Sequence, residues 1–258
     1  MAEKKTSPLY KLIKWLVWVF YPRTAVVGAE NLPEEPCVIV GNHTQMNGPI
    51  VSELYLPVER YTWCAGEMMH LRKVPAYAYR DFWSRKPRYI RWFYRLLSYV
   101  IAPIAVCVFN NANTVPVYRD MRIVATFRES VEKLCSGASL VIFPEHEVKY
   151  NHILYDFQDR FIDLARLYFK KTGKPLQFVP MYIAPALKTA YLGKPVRFRP
   201  DAPMTEERRR IKAYLMDEIT AIACSLPPHT VVPYPNLPRR DYPRNLPSEV
   251  QTHEDDPV

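Results

Sequence analysis

The sequence has no CxxC pair. Its five cysteines (Cys37, Cys64, Cys107, Cys135, Cys224) are odd in number and widely scattered. That excludes a disulfide framework and the common zinc motifs, and it points to small free thiols in a reducing compartment. Acidic residues are also in short supply: 26 Asp+Glu stand against 35 Lys+Arg, a formal charge of +9. A surplus of that sign favours anionic partners, among them nucleic acid, anionic lipid head groups and phosphorylated carriers such as coenzyme A. Glycine is scarce at 7 residues, whereas proline reaches 25 and crowds the last quarter of the chain. After the N-terminal lysines and apolar stretch comes Tyr21-Pro22-Arg23, not a small-residue cleavage site, which argues against a secretory signal peptide. Internal repeats are absent. What remains, 258 residues with 48% hydrophobic and 24% charged, fits one globular domain better than two.

Three regions and an insertion follow from the pattern. Residues 1–22 contain LYKLIKWLVWVF at 9–20, too short to span a bilayer, which needs about 20 apolar residues, but suited to an amphipathic helix in the membrane interface. Residues 23–225 alternate short β-branched runs with helical stretches. Apolar runs at 37–40, 140–143 and 177–183 read as buried strands, and residues 121–134 and 157–170 as helices. Such alternation predicts a layered α/β domain with a mostly parallel or mixed sheet flanked by helices, whose ligands bind at the carboxyl ends of the strands. Residues 68–109 interrupt it with bases among aromatics (Arg72, Lys73, Tyr79, Arg80, Trp83, Arg95) and then LLSYVIAPIAVCVF. The apolar part reaches about 18 residues, broken by Arg95 and Pro103, borderline for a spanning helix. A half-inserted or interfacial hairpin facing anionic lipid accounts for both halves. A nucleic-acid site would accept the bases but has no use for the uncharged stretch. Residues 226–258 read as a Pro-rich extended tail whose first part can lie on the domain.

The loop after the first buried strand, Gly41-Asn42-His43-Thr44-Gln45-Met46-Asn47-Gly48-Pro49, places a histidine just past a strand end, where a near-neutral imidazole can take a proton from a hydroxyl. Read in order, four blocks resemble those of the glycerolipid (lysophospholipid) acyltransferase family. The His43 loop resembles the first block, and Thr114-Val-Pro-Val-Tyr-Arg119 the second. Val141-Ile-Phe143-Pro144-Glu145-His146 resembles the third, and Phe178-Val-Pro180-Met-Tyr-Ile the fourth.

The resemblance implies a membrane-associated acyltransferase on the cytoplasmic face. His43 would be general base on a lipid or polyol hydroxyl. Acyl-CoA or acyl carrier protein would be co-substrate, with membrane lipids as partners, no nucleic acid and no further cofactor. It implies Arg119 as a phosphate contact and Glu145 as an acceptor-site residue, with Asn47, His146 and Lys149 beside them. The family's pattern is broken at two places. Gly48 stands where the histidine's partner aspartate is expected, so that Asn47 or Gln45 is left to hold the imidazole. His146, Glu147 and Val148 replace Gly, Thr and Arg of the third block, a loss of cationic charge that Lys149 offsets in part. The alternative is a non-catalytic relative that binds lipid. A metal site at Glu145, His146, Glu147 and His152 with the nearby His43 has enough N and O ligands, but its spacing matches no common motif. The deciding observation is whether an anionic group lies within about 3.2 Å of the His43 ring.

Overall fold

The computed structural model describes residues 6–84, 87–118 and 120–246. In chain order the elements are α1 (Pro8–Phe20), β1 (Ala25–Val27), β2 (Val38–Gly41), α2 (Asn47–Tyr55), β3 (Arg60–Ala65), α3 (Val74–Ala78), α4 (Arg91–Asn111), β4 (Thr114–Val117), α5 (Ile123–Cys135), β5 (Ser139–Ile142), β6 (Glu145–Lys149), β7 (Tyr155–Phe157), α6 (Asp163–Thr172), β8 (Gln177–Ala184), β9 (Thr189–Leu192), β10 (Val196–Arg197) and α7 (Met204–Ser225). The main sheet runs β1-β9-β8-β2-β5-β3-β4, with β10 added to β8; β6 and β7 form a separate hairpin. Pairing is parallel from β8 through β2, β5 and β3 to β4, and also between β1 and β9. It is antiparallel where β9 and β10 flank β8. This is the mixed, mostly parallel α/β domain that the alternation predicts.

The central strands are buried on both faces, which is why they read as continuous apolar runs. Alternate residues serve two cores: Val38, Val40, Leu140, Ile142 and Phe178 face α5, α6 and α7, while Ile39, Val141, Val179 and Met181 face the other side. The predicted strands lie within a residue of those observed. The stretch 157–170 is divided: Phe157 ends β7, and the helix begins only at Asp163. The β6–β7 hairpin, whose sequence carries no period-2 apolar signal, takes Phe157, and a 3-10 turn at Arg160–Ile162 precedes the helix. Cys37 is buried and Cys135 exposed, and all five thiols are free.

In the insertion, Arg95 and Pro103 do not break the apolar helix. α4 runs unbroken for 21 residues, about 30 Å at 1.5 Å per residue. Arg95 is carried out of the way, its guanidinium over the Tyr79 ring at 5.1 Å. With the turn before it, residues 88–111 form a helix long and apolar enough to cross a membrane, its most apolar 18-residue window having a mean hydropathy of 1.7. α1 packs against α4 and is fastened by its buried Tyr10, whose hydroxyl donates to Glu53 Oε1 at 3.0 Å, and by Ser7 N donating to Asn111 Oδ1 at 2.8 Å. Both helices leave large side chains uncovered, including Trp15, Trp18 and Phe20 on α1, and Trp92, Leu96 and Tyr99 on α4.

The first part of the Pro-rich segment, residues 226–246, lies along the domain. His229 is buried with its Nε2 at 2.8 Å from the Tyr182 hydroxyl, and Asn245 is wholly buried and bonded to the end of α7.

Candidate functional site

β2 and β5 are parallel neighbours in register, Val40 beside Ile142, so their carboxyl ends deliver two loops to one place. From β2 come Asn42 and His43; from β5 come Phe143, Pro144 and Glu145. Asn42 extends the ladder beyond the strand: its amide donates to Ile183 O at 3.0 Å and accepts from Ile183 N at 2.7 Å. The side chain thus replaces a backbone pair and sets the exit direction of the chain at His43.

The turn that follows is strained. Thr44 and Gln45 are consecutive non-glycine residues in the left-handed region, at φ 45° and 57°. For a β-branched residue such as Thr44 this is a true outlier, and each such residue costs roughly 1–3 kcal/mol. Thr44 is completely buried, and its hydroxyl has no hydrogen-bond partner. Neither has the buried His43 Nδ1. The His43 ring stands edge-on to Phe143 at 5.3 Å and to Tyr234 at 5.9 Å between centroids. Burial among aromatics pushes the imidazole down to about 4, opposed only in part by the backbone of Gln45. At neutral pH the ring is uncharged.

Glu145 is the anionic neighbour of this loop, but it serves the backbone. Its Oε2 accepts from His43 N at 2.6 Å and its Oε1 from Tyr155 N at 3.1 Å. Burial raises it to about 7, and the two N–H donors hold it from going further. No hydrogen bond joins its carboxylate to the His43 ring. The expected support within about 3.2 Å is therefore absent among the described residues.

Gly48 explains why the partner cannot occupy its usual place. A Cβ there would lie 2.4 Å from His43 O and 2.9 Å from the Phe143 ring. Phe143 has taken the volume that a side chain at position 48 would use, so position 48 is sterically closed to aspartate.

The other residues singled out by the sequence are distributed as follows. Asn47 lies in the same loop, but its amide donates to Thr44 O at 2.9 Å and accepts from the Tyr21 hydroxyl at 2.9 Å. It locks the turn rather than the imidazole. His146 faces away from Glu145, as successive strand residues do. Its Nε2 lies 3.1 Å from Asp156 Oδ2, and Asp156 is also paired with Lys212 on α7. Lys149 is exposed at the far end of β6. Arg119 falls outside the described residues. Gln45, which sequence reasoning put beside the imidazole, instead donates to the Tyr242 hydroxyl at 2.9 Å. Phe143, Tyr234 and Tyr155 were not singled out: apolar and aromatic side chains carry no motif, and Tyr234 is 191 positions from His43 by numbering.

Fold and site together define an α/β protein with a strained, histidine-bearing loop at the carboxyl edge of a parallel sheet. No family model matches the sequence, and a search of curated proteins finds no match. Among solved structures the chain is similar to the crystal structure of the 1-acyl-sn-glycerophosphate (LPA) acyltransferase PlsC from Thermotoga maritima. Identity is 16% and the TM-score 0.45, over 83% of this chain and 78% of that one. A likeness this distant carries no activity across; what the site can do rests on its own residues.

Proposed function

We propose that the chain is an acyltransferase of the cytoplasmic membrane surface, moving a fatty acyl group from acyl-CoA or acyl carrier protein to a lipid or polyol hydroxyl with His43 as base. The observation that carries this reading is the His43–Thr44–Gln45 turn. It keeps two strained residues and a buried ring nitrogen without a hydrogen-bond partner, and such features concentrate where a ligand is handled rather than where packing is served. In this reading an acceptor hydroxyl donates to the imidazole once the aromatic cover over the ring is displaced. Its oxygen then attacks the thioester carbonyl, the C–S bond breaks, and the proton passes from the imidazolium to the leaving thiolate.

In this reading the chemistry runs without the family's dyad. No carboxylate steadies the imidazolium, and in serine proteases removing the charge of the equivalent aspartate costs about 10⁴ in turnover. Slow turnover is the expected consequence. The bilayer is met by the uncovered apolar surfaces of α1 and α4, with exposed Lys11 and Arg88 on or beside these helices, a combination suited to an anionic interface.

The second reading, a non-catalytic lipid-binding relative, is favoured by one specific observation: the ring has no anionic support and Tyr234 stands over it. Thiol release from acyl-CoA in the presence of acceptor lipid and vesicles separates the two. The enzyme reading expects acceptor-dependent release that vanishes in His43→Ala. Release that persists in that variant removes the base. Vesicle co-sedimentation with no release above the blank leaves the binding reading. Deleting residues 1–20 is expected to weaken co-sedimentation, and full retention would overturn the interfacial role of α1.

A further inference from the structure

Residues 229–245 run along the domain as a loop whose two ends meet at one point, with Val231 and Pro233 buried beside the neck. The neck is an antiparallel pair: His229 N donates to Asn245 Oδ1 at 2.7 Å, Asn245 N to His229 O at 3.1 Å and Val231 N to Pro243 O at 2.9 Å, with a bridge between Thr230 and Arg244. Asn245 also donates to Ala223 O and Leu226 O, and the His229 ring is fixed between Tyr182 and Pro227 O. Both anchors are buried. The residues between these anchors, 230–244, close on themselves as an Ω-loop does.

The tip is held differently. It lies across the His43 turn through the Tyr234 ring, through Gln45 donating to the Tyr242 hydroxyl and Pro235 O, and through Asn236 donating to Asp81 O at 3.1 Å. The hydrogen bonds are neutral, those of Gln45 part-buried and that of Asn236 exposed, each worth about 1 kcal/mol, and the Tyr234 ring also packs on Tyr155 at 6.1 Å between centroids. Pro233, Pro235, Pro238 and Pro243 restrict the backbone, so the segment is stiffer than an ordinary loop of its length. At its outer end Arg239 and Arg240 form an exposed single turn. Asp81, its point of attachment, belongs to the π-helical turn Tyr79–Trp83, within the basic and aromatic segment that precedes α4.

We propose that residues 232–242 are a lid over the His43 turn, hinged at the His229–Asn245 neck and lifted when anionic phospholipid head groups engage Arg239 and Arg240. The inference rests on the bilayer reading above for its trigger, but not on acyl transfer. Lifting the lid removes the Tyr234 ring from the imidazole, so the turn becomes accessible only at the surface where lipid substrates are.

The test is carbethoxylation of the full chain with diethyl pyrocarbonate, followed peptide by peptide by mass spectrometry, with exposed His70 as internal reference. In solution His43 is expected to react far more slowly than His70. Phosphatidylglycerol vesicles are expected to raise its rate by about tenfold, and pure phosphatidylcholine vesicles to leave it unchanged. Asn236→Ala, an exposed substitution that leaves the neck intact, is expected to raise the rate severalfold without vesicles. Co-sedimentation is measured on the same samples. Protein that sediments with phosphatidylglycerol while His43 stays protected overturns the lid and leaves membrane binding standing. Protein that does not sediment overturns the trigger together with the bilayer reading. Equal rates for His43 and His70 in solution, or equal effects of the two vesicle types, overturn the proposal as well.

Discussion

Stability as a function of pH should expose Glu145 and His43 only when they are separated. The two belong to one turn, Glu145 accepting the His43 N–H, and burial displaces them in opposite directions. His43 falls from 6.5 to about 4, whereas Glu145 rises from 4.5 to about 7. A depressed folded-state value means that the folded protein binds the proton less well than the unfolded chain. The His43 contribution is therefore complete above the unfolded value of 6.5 and is lost as pH falls towards 4. A raised value has the reverse sign: the Glu145 contribution is complete below 4.5 and is lost as pH rises through 7. Between about pH 4.5 and about pH 6.5 each amounts to about 2 kcal/mol, from 1.36 kcal/mol per unit with rounding at the ends. They cancel. The perturbations are Glu145→Gln and His43→Gln, and the assay is the urea midpoint and m-value across that window. Relative to wild type, Glu145→Gln should gain about 2 kcal/mol as pH rises, and His43→Gln should lose about 2 kcal/mol. The paired carboxylates Asp120, Asp156 and Glu207 form a background common to all three proteins, so the slopes are compared and not the levels. Parallel profiles for wild type and both variants would refute the claim that burial controls these two groups.

Three further outcomes follow from the same geometry. Gly48→Ala places a Cβ against His43 O and Phe143 and should lower stability by about 2 kcal/mol or more; an unchanged urea midpoint would show that the turn has room. Gly48→Asp should consequently fail to raise thiol release, since the carboxylate cannot enter where Phe143 sits. Asn245→Ala removes four side-chain hydrogen bonds at the neck and leaves buried partners unsatisfied, at a cost of about 2–3 kcal/mol by denaturation; a loss under about 0.5 kcal/mol would mean that the neck is not the anchor.

The alternation of buried runs and helical periods was enough to place β2, β5 and β8 within a residue, because strands covered on both faces must be apolar throughout. It was not enough for β6 and β7. Those strands pair only with each other at the surface, and EHEVK carries neither continuous apolarity nor a period of two. The same limit applied at α4, where proline and arginine argued for a break. Pro103 falls inside a helix that is stabilised on both sides of it, and Arg95 finds an aromatic face.

Local sequence determined that His43 follows a strand, since that depends on near neighbours alone, and it placed Glu145 at the end of an adjoining run. Only the tertiary structure decided what those residues are for. Parallel pairing of β2 with β5 turned Glu145 towards the His43 backbone instead of its ring. Phe143 closed the space at Gly48, and a segment almost two hundred positions downstream supplied the ring above the imidazole. The physical reason is that charge, desolvation and volume at a site are summed over everything that packs there, and most of what packs on His43 is remote from it in the chain.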